Sequence, residues 1–138
     1  MPTLTPPKMV TGLQPFINRI DRIFKNTAHN TPTLTLDLDQ YGVFVIRVAS
    51  GTNVTNVAFT LPVSPPADRQ LGGVLYLART NIADTFNFGS TIRWPNSTPP
   101  TLTATNNRYD VFTFTIPQPS PLIALGFTSG QNFDITFT

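Results

Sequence analysis

The chain has 138 residues, of which 40% are hydrophobic and 12% charged, with a formal charge of +2. It has no Cys, no Glu and one His, His29, which excludes disulfide scaffolds, thiol nucleophiles and metal centres built on Cys or several His. Thr occurs 22 times, Asn 11, Pro 14 and Phe 11, a mixture that favours strands and turns over exposed helix faces.

Residues 1–10 read as an extended arm, because Pro2, Pro6 and Pro7 forbid a helix there. Residues 11–26 carry the one helical signal. Thr11-Gly-Leu-Gln14 fits a capping box, and Phe16, Ile20, Ile23 and Phe24 then fall on one helical face. Arg19, Arg22 and Lys25 take the other face. A helix of this length needs a surface to dock on, so residues 1–30 are expected to form an attachment segment and residues 31–138 a β-domain.

From residue 31 the period becomes two. Leu34, Leu36 and Leu38 alternate with Thr35, Asp37 and Asp39, as a half-buried strand requires. Val43 to Val48 and Asn56 to Leu61 predict the next two strands, around a turn at Ser50-Gly-Thr-Asn53. After a proline-rich loop, Gly73 to Ala78 is apolar on both faces and is expected at the centre of a sheet. Thr80 to Gly89 reads as a second loop, Ser90 to Trp94 as a strand and Pro95 to Pro100 as a turn.

Thr101 to Thr105 and Arg108 to Ile116 are predicted as strands around an Asn106-Asn107 turn, with Phe112, Phe114 and Ile116 inward. Pro117 to Pro121 interrupts the pattern. Leu122 to Phe127 and Asn132 to Phe137 close the chain as two strands around Ser129-Gly130. The whole predicts an all-β fold, an antiparallel sandwich or jelly-roll-like domain of about eight short strands after an arm and one short helix.

The inventory for chemistry is thin. Asp37 and Asp39 share a strand face, and Asp110 is a third carboxylate that could approach them, but alternation alone also places acids outward. His29 lies between the helical segment and the first predicted strand, away from any nucleophile motif, and reads as part of a linker. The arginines are scattered instead of forming a basic stripe, which argues against nucleic acid as a partner. No stretch approaches the ~20 apolar residues of a membrane span, and no secretion signal opens the chain. No catalytic residue, cofactor or metal is expected. Phe86, Phe88, Trp94, Tyr109, Phe127 and Phe133 are expected mostly in the core, with a sugar-stacking groove as the alternative.

Four segments of the C-terminal half carry a likeness: Ile92-Arg-Trp-Pro95, Thr98-Pro-Pro-Thr-Leu-Thr103, Arg108-Tyr-Asp-Val-Phe-Thr-Phe114, and Gly126 with Gly130-Gln-Asn-Phe133. In that order they resemble a module at the C-terminus of tailed-bacteriophage virion proteins, and the likeness extends over about residues 31–133. It implies a non-enzymatic structural protein on the virion surface, assembled in the host cytoplasm. The shortness of the chain points to a head decoration or cement protein, with a tail-fibre or receptor-binding tip as the alternative and a soluble carbohydrate-binding module as the second. The partners implied are capsid or tail proteins, two further copies in a homotrimer, and a host surface glycan.

Within that resemblance Trp94 and Phe133 are expected in the core, Gly130 in a turn and Asn132 as its side-chain cap. With Phe16, Ile20, Ile23, Phe24, Phe112 and Phe114 they make up the structural and interaction candidates.

Overall fold

The computed structural model describes residues 22–63 and 71–137. The elements are β1 (Ile23–His29), β2 (Thr33–Asp37), β3 (Val43–Val48), β4 (Asn56–Thr60), β5 (Leu71–Arg79), β6 (Ile92–Arg93), β7 (Tyr109–Pro119) and β8 (Leu122–Phe133), with one 3₁₀ turn at Pro95–Ser97. The fold is all-β. Six strands form a mixed sheet in the order β1-β3-β5-β7-β8-β6, and β2 and β4 form a second, two-stranded sheet.

Between β1 and β5 the chain steps alternately from one sheet to the other. β1, β3 and β5 belong to the large sheet and β2 and β4 to the small one. A strand laid in the other sheet then serves as the crossover that a parallel pair requires. Hence β1 runs parallel to β3, β2 to β4 and β3 to β5. The β6–β8 pairing is parallel as well, while β5–β7 and β7–β8 are antiparallel. The expected antiparallel sheet is therefore a mixed one. Alternation in sequence reports which face a side chain takes, and it is blind to strand direction.

The small sheet covers one face of the large sheet. Leu34, Leu36, Leu38 and Val57 from the small sheet join Phe44, Ile46, Leu75, Leu77, Phe112, Phe114 and Ile116 in one core. Phe59 meets Phe114 across it, with ring centroids 5.0 Å apart. β5 sits third of six in the large sheet, flanked by β3 and β7, as its two apolar faces predict.

Several expectations need correction. Residues 23–26, given to the end of the helix, lie in β1, so the β-body begins at Ile23 and not at residue 31. Phe24 faces the core side beside Phe44 and Tyr41, and its neighbours Ile23 and Lys25 point away. The rest of the helix expectation, with Phe16 and Ile20, lies outside the described residues. His29 ends β1 as a buried residue, with its Nε2 3.4 Å from the Thr31 hydroxyl, and is no linker.

At the C-terminal end, Pro117–Pro119 continue β7, and residues 122–133 form one strand where two were expected. Gly130 is inside that strand. Its missing Cβ makes room for the Phe133 ring, which would stand 2.6 Å from a side chain there. Residues 134–137 form no strand; Ile135 and Phe137 pack instead on the opposite face of the large sheet, against Val45, Ala78 and Tyr109.

Candidate functional site

Thr101 to Thr105 is not a strand, because its polar backbone groups are taken by side chains instead of a neighbouring ladder. Asp110, on the core face of β7, is 2% exposed. Its carboxylate accepts the Thr103 N–H at 2.7 Å, the Thr103 hydroxyl, and the Asn132 N–H at 3.0 Å. Arg79 completes the anchorage. Its Nη2 donates to the Thr103 carbonyl at 3.1 Å and its Nη1 to the Asp84 carbonyl at 3.1 Å. The Arg79 carbonyl in turn accepts the Asn107 N–H at 2.8 Å. One buried acid and one arginine thus tie the 80–89 and 101–107 loops to β5, β7 and β8.

The four segments singled out in the sequence converge here. Asn132 does not cap a turn through its side chain; it takes a left-handed backbone, φ 64°, inside β8, which turns its N–H onto Asp110. The Gln131 amide donates to the Thr101 carbonyl at 2.6 Å. Trp94 stacks edge-on with Phe88 at 4.8 Å and Phe112 at 5.8 Å. A Cβ on Gly126 would come 2.7 Å from the Trp94 ring, so glycine is what lets the indole lie on β8. Trp94, Phe112 and Phe114 are core residues, as expected. The Trp94 Nε1–H is buried without a partner among the described residues.

Phe133 departs from expectation. It is 43% exposed, as is Phe127, and Ile23 is 53% exposed. All three are explained by the face of the large sheet that the small sheet leaves uncovered. The register aligns Ile23, Val43, Val74, Thr113 and Phe127 across five strands on that back face. The 134–137 tail covers part of it: the Phe137 ring packs on Tyr109 at 4.9 Å and on Tyr76 at 5.4 Å. What remains is an apolar surface that the sequence pattern does not reveal, because Val74 lies in a run apolar on both faces and Phe127 is expected mostly in the core.

Asp37 accepts the Asp39 N–H at 3.1 Å, and Asp39 accepts from Gln40, whereas Asp110 is engaged by Thr103 and Asn132. Among the described residues no three His, Asp or Glu side chains gather where they could hold a metal ion. No described helix is long and apolar enough to cross a membrane.

Burial pushes the Tyr109 hydroxyl above the ordinary tyrosine value, and nearby Arg47 partly offsets this. In the unfolded chain the phenol ionises near pH ~10, while the folded protein keeps its proton. The stability contributed by Tyr109 is therefore intact below that pH and is lost as pH rises beyond it. Urea midpoints at pH 8 and pH 11 should show a smaller alkaline loss in Tyr109→Phe than in the native chain. An equal loss in both would assign the alkaline effect to other groups.

No family model, curated protein or solved structure matches this chain.

Proposed function

We propose that the protein is a non-enzymatic structural component of a tailed-phage virion, serving as a surface decoration or cement protein of the head. The observation that carries the reading is the open apolar back face of the large sheet, with Ile23, Phe127 and Phe133 on the surface. Apolar patches of this kind mark contacts with other proteins. The four-segment resemblance supports the same reading, since the segments it rests on meet around Asp110 and Trp94. A sandwich or jelly-roll-like body, assembled as a homotrimer, belongs to this proposal, with capsid or tail proteins as partners and the virion as location. Residues 1–22 precede β1 and suit the attachment role.

Addition of the purified protein to phage heads that lack it tests the reading. The native chain should co-sediment with the heads, and electron microscopy should place it on their outer surface. Phe127→Asp combined with Phe133→Asp should keep the fold, because both side chains are exposed, and lower binding by about tenfold. Density at a tail tip would move the protein to the fibre class. Failure of the native chain to join any particle would overturn the proposal.

A further inference from the structure

The back face carries a cavity of about 370 Å³ between β1, β3, β7 and the C-terminal tail, lined by Thr27, Arg47, Asn107, Tyr109, Ile135 and Phe137 among others. That is the small end of the range for ligand clefts, about 300–1,000 Å³. From its polar groups and aromatic wall we infer that it binds a single acidic sugar of the uronate class, whose carboxylate pairs with Arg47.

Arg47 is the lone charge of β3, half-buried where the alternation of Val43 to Val48 turns outward. Its Nε donates to the Thr27 carbonyl at 3.1 Å, which fixes the plane of the guanidinium. No described residue hydrogen-bonds its two terminal nitrogens, and together they present the parallel donors that a carboxylate accepts. Asp134 also lines the cavity, but its carboxylate faces Arg108 at 3.7 Å. Arg108, outside the lining, faces the Asp134 charge, and Arg47 is the cation that lines the cavity.

The remaining groups suit a hydroxylated ring better than a bare anion. Tyr109 lines the cavity, and its hydroxyl stays protonated and can donate. The Asn107 and Thr27 side chains add an amide and a hydroxyl for sugar hydroxyls. Phe137, held edge-on by Tyr109 and Tyr76, supplies an apolar wall for the C–H face of a pyranose. These residues come from sequence positions 27, 47, 107–109 and 134–137, which is why no local motif announced them. The inference is independent of the virion reading, since a chain that joins no particle can still bind sugar.

Titration of the isotope-labelled full chain with glucuronate, followed by NMR, is the test, with glucose, acetate and inorganic phosphate as separate arms. Glucuronate should shift the amides of Thr27, Arg47, Tyr109 and Phe137 in a saturable way. Glucose, which lacks the carboxylate, and acetate, which lacks the ring, should each bind at least about tenfold more weakly. Arg47→Met should abolish the preference for glucuronate over glucose. Asn107→Gly, on an exposed loop whose left-handed backbone (φ 62°) glycine keeps, leaves the question answerable if the Arg47 variant fails to fold, and should weaken glucuronate severalfold. Equal binding of glucose and glucuronate, no saturable shifts at these residues, or tighter binding of phosphate than of glucuronate would each overturn the inference.

Discussion

Asp110→Ala should unfold about 6–20 °C below the native chain. The carboxylate is 2% exposed and accepts from two backbone N–H groups and one hydroxyl. Hydrogen bonds to a charged group contribute about 1.5–3 kcal/mol each, although the Asn132 amide is near enough to the surface to regain water. A net loss of about 3–5 kcal/mol follows, a large share of the roughly 5–15 kcal/mol that holds a domain together. At about 2–4 °C per kcal/mol, the shift is measurable by circular dichroism. Asp110→Asn should recover only part of it, because its amide nitrogen would bring donors to groups that already donate. A loss below about 1 kcal/mol for the Ala variant would show that the 101–107 loop is held by its other contacts, those with Arg79 and Gln131.

Phe112→Ala should cost about 3–5 kcal/mol, the usual range for a buried Phe. Its ring is 1% exposed and packs edge-on against both Phe88, at 5.3 Å, and Trp94, at 5.8 Å. Removing it opens a cavity beside this aromatic pair that the β-body cannot readily close, since both are anchored on loops tied to other strands. The near-ultraviolet signal of Trp94 should change with it. Phe127→Ala, at a 43% exposed position, should alter the unfolding free energy from urea titration by no more than about 0.5 kcal/mol. Similar losses in both variants would mean that the back face is as tightly packed as the front.

The contrast between these two phenylalanines also shows what the sequence could disclose. Alternation located β2, β4 and β7 and turned Phe112, Phe114 and Ile116 inward, because each of these strands has one wetter face that marks the period, while β3 and β5 stood out as apolar runs. It failed at β1, where inward Asn26 is polar and Ile23 and Phe24 continue a helical spacing from Phe16 and Ile20, which lie outside the described residues. It failed again at β8, where Ser129 and Gly130 look like a turn. Ser129 instead bonds the Thr113 hydroxyl across the ladder, and Gly130 admits the Phe133 ring. The Asp110 centre was half visible: the acid was noticed, but its partners Thr103 and Asn132 are brought to it by tertiary contacts. Arg47 was seen only as one of several scattered arginines.

The two borders of the large sheet are unequal. β6 offers only Ile92 and Arg93 before Pro95, which has no N–H to donate, so little ladder can form there. β1 offers seven residues, and no described strand lies beyond it. Open-ended stacking of sheets needs a competent border on each side of every copy. Joining of ladders through β1 alone would therefore pair two molecules about a two-fold axis and go no further.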